Sequence, residues 1–88
     1  VVIANPTHFA VALRYEPSEG PAPMVLAKGQ DLIALRIREI AEQKGIPVIE
    51  DKPLARSLYD AVQVDQMIPA EFYRAVAQIL FFLFARQR

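Results

Sequence analysis

The sequence predicts an α/β domain in which a small four-stranded mixed sheet has helices packed around it. Short runs rich in β-branched residues alternate with longer segments whose apolar residues recur at helical spacing. Their order is strand, strand, strand, helix, strand, helix, helix, which makes the first helix a crossover between the third and fourth strands. At 88 residues, 53% of them apolar and with ten acidic residues balancing ten basic ones, the chain is expected to form one compact domain.

The first three strands are predicted from their composition and from the turns between them. Val1–Ala4 is a short apolar run that stops at Asn5-Pro6, and Phe9–Tyr15 is a second run of strand-forming residues. The segment Glu16–Pro23 contains three prolines and a glycine and is expected to be a loop. Met24–Ala27 is the third predicted strand.

A helix is predicted from residue 31 to residue 44. Asp31 is expected to cap its beginning, and Gly45 is expected to end it in a left-handed conformation. Four apolar residues fall on one face of this helix and are expected to be buried: Ile33, Ile37, Ile40 and Ala41.

The fourth strand and the last two helices are predicted from the same kinds of signal. Ile46–Ile49 is the fourth strand, and its proline at position 47 suits a strand end or a sheet edge. Asp51 is expected to cap a second helix, with Pro53 in its first turn and a buried stripe of Leu54, Leu58 and Val62. A last helix starts at Pro69 and repeats apolar residues at helical spacing: Phe72, Val76, Ile79, Leu80 and Leu83. Phe81, Phe82 and Phe84 surround that helix, so they are not all expected to face the core.

Composition excludes several classes of function. The chain has no cysteine and one histidine, so neither a disulfide framework, a thiolate nucleophile nor a structural zinc site is expected, and we predict no cofactor and no metal. The balanced charge does not favour nucleic-acid binding. The longest strongly apolar run, Ile79–Ala85, is far shorter than the roughly 20 residues that cross a bilayer. Since the chain opens on Val1 without a methionine, we expect it to be a fragment of a longer polypeptide.

The Asn5-Pro6 bond is a candidate reactive site. Ordinary asparagine deamidation needs the backbone N–H of the next residue, and a prolyl nitrogen has none. In the competing reaction, the side-chain amide nitrogen of Asn5 attacks its own main-chain carbonyl, closes a succinimide and expels Pro6 as an amine. This scission requires a near-attack conformation, a donor for the developing oxyanion and a proton for the leaving nitrogen. Thr7 and His8 lie close in sequence, and His8 is a candidate for proton transfer or for holding the turn.

An Asn-Pro dipeptide by itself is more often an inert turn, but longer motifs accompany this one. Asn5-Pro6-Thr7-His8 resembles the autocleavage tetrapeptide of the FlhB/YscU family of type III secretion proteins. The similarity continues through further segments: Phe9–Leu13, Ala27–Gly29, Ala34–Ala41, Ile46–Ile49 and Pro53–Tyr59.

The resemblance implies that residues 1–88 are one autocleaving cytoplasmic domain, with 1–5 the N-terminal fragment and 6–88 the C-terminal fragment. By this resemblance Asn5 is the reactive residue and Pro6 the leaving group, while Thr7 and His8 support the turn. It also implies a membrane-embedded full-length protein at the cytoplasmic face of the bacterial inner membrane, where cleavage changes the specificity for export substrates. The implied partners are other export-apparatus proteins, a length-control protein, and exported substrates or their chaperones.

Two functions therefore remain open, and neither is a turnover enzyme. The first is a single-turnover self-cleaving switch, in either a flagellum or an injectisome. The second is a non-cleaving interaction module with an inert Asn-Pro turn. Arg36, Arg38 and Lys28 could form a docking face, although a solvated helix face is the simpler interpretation. Arg56 is expected to pair with Asp60, four residues further on.

Overall fold

The computed structural model describes residues 1–6 and 8–86 and confirms the predicted fold class. Four strands form one mixed sheet, with helices on both of its faces. The elements are, in chain order, β1 (Val2–Asn5), β2 (Phe9–Arg14), β3 (Met24–Gln30), α1 (Leu32–Gln43), β4 (Val48–Glu50), α2 (Lys52–Ala61), a short 3₁₀ helix (Ala70–Phe72) and α3 (Tyr73–Arg86).

Strand β1 lies inside the sheet. The strand order is β3-β2-β1-β4, with β1 antiparallel to β2 and parallel to β4. Because β3 and β4 form opposite edges, α1 must cross the whole sheet to connect them. Pro47 immediately precedes the edge strand β4, a position at which its missing N–H breaks no hydrogen bond of the sheet. The third strand is longer than predicted and continues to Gln30.

Two apolar clusters, one on each side of the sheet, form the core. Ile3 of β1 packs in the larger cluster together with side chains from α2 and α3, including Leu58 and Val76. Val2 packs in the smaller cluster with Ala34 of α1. Successive residues of a strand point to opposite faces, so burial of both Val2 and Ile3 shows that β1 is covered on both sides.

Two predictions for α1 are wrong. Ile33 was expected on the buried face but is 61% exposed, because the helix packs on the sheet through the small residues Ala34 and Ala41. Ile37 and Ile40 are half-buried. Asp31 precedes the helix but its side chain makes no capping hydrogen bond, and its φ is 54°. The backbone turns sharply there, so its carboxylate cannot serve as the expected cap.

The other predicted helix ends are confirmed. Gly45 has a φ of 71° after the last turn of α1, and the N–H of Ile46 donates to the carbonyl of Ala41 at 2.8 Å, as in a Schellman motif. The Asp51 carboxylate accepts a hydrogen bond from the N–H of Leu54 at 3.2 Å and caps α2.

The apolar stripes of the last two helices are confirmed in part. Leu54, Leu58 and Val62 are buried, as are Phe72 and Val76. The later predicted positions are only half-buried: Ile79, Leu80 and Leu83. The phenylalanines around the end of α3 are exposed: Phe81, Phe82 and Phe84. Pro69 starts a 3₁₀ turn that leads into α3. In the parts of the chain described, no helix combines the length and the apolar character that a bilayer span requires.

Candidate functional site

The Asn5-Pro6 bond lies in the tight turn between β1 and β2. Asn5 is the last residue of β1 and pairs with Phe9, the first residue of β2. The main-chain N–H of His8 donates a hydrogen bond to the carbonyl oxygen of Asn5, with an N···O distance of 3.0 Å. Pro6 occupies the second position of this turn, where its fixed φ is favourable. Thr7, the other predicted site residue in the turn, lies outside the described residues.

The turn is partly open to water. Asn5 and Pro6 are half-buried, whereas the side chain of His8 is 62% exposed. Strand β1 ends at Asn5, so the acyl side of the bond is held by the sheet while the residues after it leave the ladder. Adjacent to Pro6 lies a cavity of about 300 Å³, which Asp31, Leu32 and Leu35 also line.

Asp31 contacts the turn from the side. Its main-chain N–H donates to the carbonyl oxygen of His8 at 2.8 Å, and its Oδ1 lies 3.8 Å from His8 Nδ1. Both side chains are mostly exposed, so the ion pair that forms when His8 is protonated is weak. Asp31, with its unusual positive φ, therefore contacts the turn and does not cap α1.

Arg38 contacts the turn from α1. Its Nη1 donates a short hydrogen bond to the main-chain carbonyl oxygen of Pro6, the residue on the leaving side of the bond. This contact was not predicted from the sequence. No periodicity or local motif in the sequence indicated it, because Pro6 and Arg38 are 32 residues apart in the chain.

The three basic residues of the predicted docking face separate in the structure. Arg36 is exposed and pairs with Glu39, as expected of a residue on a solvated helix face. Arg38 points to the turn. Lys28 donates from Nζ to the carbonyl oxygen of Tyr59 at 2.7 Å and lies over the ring of that residue. They do not form one continuous charged face.

The predicted pair of Arg56 and Asp60 is confirmed, with Nε 2.9 Å from Oδ2. The guanidinium of Arg56 also lies 5.0 Å from the ring centre of Phe9, and the Phe9 ring contacts that of Tyr59. Arg56 therefore has a structural role at the start of β2, next to the turn. Among the described residues, no cluster of three or more histidine, aspartate or glutamate side chains is placed to bind a metal ion.

Comparison with known proteins identifies the family. Residues 1–83 match the model of the "FlhB HrpN YscU SpaS Family". The chain is 46% identical over 84 residues to the flagellar biosynthetic protein FlhB of Bacillus subtilis, an alignment that covers 96% of this chain and 23% of the relative. It is 49% identical over 88 residues to FlhB of Aquifex aeolicus, covering 100% of this chain and 25% of the relative.

Solved structures show the same fold. The cytoplasmic domain of FlhB from Shewanella putrefaciens superposes with a TM-score of 0.91 at 41% identity, covering 94% of this chain and 68% of that one. A mutated EscU C-terminal domain superposes with a TM-score of 0.88 at 44% identity, covering 92% of this chain and 81% of that one. The protein belongs to the FlhB/HrpN/YscU/SpaS family of bacterial export proteins.

The match concerns one part of larger proteins, since the chain spans about a quarter of the length of the curated relatives. The solved EscU variants include changes of an asparagine, of the proline after it and of a histidine two positions beyond the proline. That spacing is the spacing of Asn5, Pro6 and His8 in this chain.

Proposed function

We propose that this chain is the cytoplasmic switch domain of a type III secretion export apparatus, and that it cleaves itself between Asn5 and Pro6. The observation that carries the proposal is the hydrogen bond from the His8 main-chain N–H to the carbonyl oxygen of Asn5. This oxygen belongs to the carbonyl that would be attacked. The turn therefore places a donor on the atom that acquires negative charge in the reaction.

The reaction balances without any added reagent. The side-chain Nδ2 of Asn5 forms a bond to the main-chain carbonyl carbon of Asn5 and loses a proton. The bond from that carbon to the Pro6 nitrogen breaks, and the nitrogen takes up a proton to become a secondary amine. Residues 1–5 then end in a succinimide and residues 6–88 begin with a free proline. Water opens the succinimide in a later step.

Each requirement of this reaction has a counterpart in the turn. The end of β1 restrains Asn5, which limits the conformations lost on reaching the transition state. The His8 N–H stabilises the oxyanion. The exposed His8 imidazole, next to the Asp31 carboxylate, is in contact with water and is a source of the proton that the leaving nitrogen needs. Thr7 supports the turn in this proposal.

The site supports one turnover only. Asn5 is the sole asparagine in the chain, and the reaction consumes it. The domain is accordingly a self-processing device and not a turnover enzyme, with 1–5 and 6–88 as its two products. In the longer protein, we place it at the cytoplasmic face of the bacterial inner membrane. Its partners there are other export-apparatus proteins, a length-control protein, and exported substrates or their chaperones.

Cleavage alters the surface that such partners meet. Intact, the turn joins β1 to β2, accepts a hydrogen bond from the Arg38 side chain of α1 and another from the main-chain N–H of Asp31. Once the bond is broken, Pro6 begins a free chain end while β1 keeps its place in the sheet. The exposed apolar residues Leu32 and Leu35 line the cavity beside Pro6, so movement of this residue would reshape that cavity. This change is the physical basis of the proposed switch in export specificity.

The second candidate is a non-cleaving interaction module. It is favoured by the exposure of large apolar side chains on α1, which are 80% exposed at Leu32 and 61% at Ile33. In that case the Asn5-Pro6 turn would be an inert connection, and binding by α1 would be the same whatever residue stood at position 5.

Denaturing mass spectrometry of freshly purified protein separates the two candidates. Cleavage by cyclisation yields a short peptide and a remainder starting at Pro6, whose masses at first add up to that of the intact chain. Simple hydrolysis would instead add the mass of one water from the beginning. Asn5→Ala should leave the chain whole. Asn5→Gln is the matched control, because it keeps the carboxamide but displaces it by one methylene, and it should react much more slowly. A wild-type chain that stays whole while folded would refute the switch.

A further inference from the structure

Arg38 makes a hydrogen bond to the turn that contains the Asn5-Pro6 bond. It is half-buried on α1, and its Nη1 donates to the carbonyl oxygen of Pro6. Its Nε is buried and has no hydrogen-bond partner within the described part of the chain. Burying a donor of a charged group without a partner is unfavourable, so the position of this side chain has an energetic cost.

The position of Arg38 on α1 explains how it reaches the turn. Ala34 lies four residues before it and Ala41 three residues after it, and both alanines are buried against the sheet. Residues at this spacing share one helix face, so Arg38 stands in the stripe that faces the sheet. Ile37 also packs on this cluster, so Arg38 is the charged residue of a face that is otherwise apolar at these positions. Burial of the two alanines holds α1 against the sheet, and this fixes the backbone from which the Arg38 side chain extends.

We propose that Arg38 is a positioning residue for cleavage, an inference that rests on the proposed function. The sheet holds Asn5 on the acyl side of the bond, through its pairing with Phe9. Arg38 holds Pro6 on the leaving side. The bond to be broken thus lies between two fixed points, and this keeps the Asn5 carbonyl in one orientation for attack by its own side chain.

Breaking the bond also changes the contact. The Pro6 nitrogen is a neutral amide nitrogen before the reaction and becomes a secondary amine that carries a proton at neutral pH. A second positive charge then appears on the residue that the Arg38 guanidinium contacts. Like charges at short range repel each other. Arg38 therefore positions Pro6 before cleavage, and its contact with Pro6 is opposed by this repulsion afterwards.

The rate of cleavage tests the first part of this role. Purified variants are followed by denaturing mass spectrometry from the start of refolding. Arg38→Met removes the donor and the charge, and we expect it to cleave about 10- to 100-fold more slowly than wild type. Arg38→Lys restores a charged donor without the fork of the guanidinium and should recover part of the rate. The matched control is Arg36→Met, which removes an exposed arginine from the same helix and should cleave at the wild-type rate.

A spectroscopic measurement tests the contact without cleavage. In the Asn5→Ala background, the ¹³C resonance of the Pro6 carbonyl reports its hydrogen bond. It should shift when Arg38→Met is added and should not shift with Arg36→Met. Thermal unfolding of the same proteins tells whether the variants are folded at the temperature of the cleavage assay. If Arg38→Met is not folded there, the comparison of Arg38→Lys with wild type replaces it.

The possible failures are distinct. A folded Arg38→Met that cleaves as fast as wild type would overturn the positioning role, and so would an unshifted Pro6 carbonyl resonance. Equal slowing in Arg36→Met would also overturn it, because the effect would then reflect the loss of any cation from α1. A wild-type chain that never cleaves would overturn the proposed function itself, and this role with it, even if the spectrum showed the hydrogen bond.

Discussion

The central position of β1 predicts that residues 1–5 remain bound after the chain is cut. Val2, Ile3 and Ala4 are each at most 2% exposed. The strand is hydrogen-bonded on both sides, to β2 and to β4. An edge strand would be paired on one side only. Removal of β1 would divide the sheet and open both apolar clusters, so the cut strand should be retained.

Ile3 provides the test of this reasoning, because it is fully buried in the larger cluster. Truncation of a buried isoleucine to alanine costs about 2–5 kcal/mol, depending on how far the cavity collapses. Since about 1.4 kcal/mol corresponds to a factor of ten, the affinity of the cut strand should fall by about 30-fold to several thousand-fold. The same energy should be lost from the free energy of unfolding of the uncut chain.

Two assays measure these effects. Native gel filtration followed by denaturing mass spectrometry should find both fragments in one peak for the wild type, and a smaller share of the N-terminal fragment in that peak for Ile3→Ala. Urea unfolding in the Asn5→Ala background should show the loss of about 2–5 kcal/mol without any cleavage. Leu32→Ala, at an 80% exposed position, is the control and should change neither result. Loss of residues 1–5 from the wild-type protein, or their equal retention by Ile3→Ala, would refute the reasoning.

Three further predictions concern the turn and the ends of the helices. His8→Ala keeps the main-chain N–H that contacts Asn5, so cleavage should slow by less than about 100-fold; a larger loss in the mass-spectrometric time course would make the imidazole an essential proton donor. Asp51→Ala removes the cap of α2 and should lower the free energy of urea unfolding by about 1 kcal/mol, whereas Asp60→Ala breaks an exposed ion pair and should cost less. Equal losses for the two variants would show that the Asp51 cap contributes no more to stability than an exposed ion pair. Gly29→Ala should be more destabilising in thermal unfolding than Gly45→Ala, since a Cβ at Gly29 would overlap the side chain of Ile33 in α1, whereas one at Gly45 would meet nothing within 4 Å and would cost only the strain of a left-handed φ of 71°. The reverse order would contradict the close packing between β3 and α1.

Local patterns were sufficient to predict the elements and the position of the candidate site. The strands on either side of Asn5-Pro6 follow from their β-branched and aromatic residues, so the dipeptide had to lie in a turn. The cap at Asp51 and the left-handed Gly45 follow from rules that involve only neighbouring residues. The same kind of rule was wrong at Asp31, where the chain bends to contact His8 instead of capping α1.

The spacing of apolar residues was a weaker guide to burial. It predicted a buried Ile33, but the helix turns its alanines to the sheet and leaves this isoleucine exposed. Composition also could not predict that β1 lies inside the sheet, because the order of strands depends on which distant segments pair. Periodicity indicates which face of an element is apolar. It does not indicate which other element covers that face.

The sequence by itself determined the elements, the turn at Asn5-Pro6 and, by resemblance, the family. Only the tertiary structure decided what surrounds the bond. It covered β1 on both sides by placing that strand inside the sheet, and it brought Arg38 to Pro6 from 32 residues further along the chain. The physical reason is that a strand or a turn is stabilised by residues close in sequence, whereas the packing of α1 across the whole sheet brings its side chains to a turn that no local pattern connects with it.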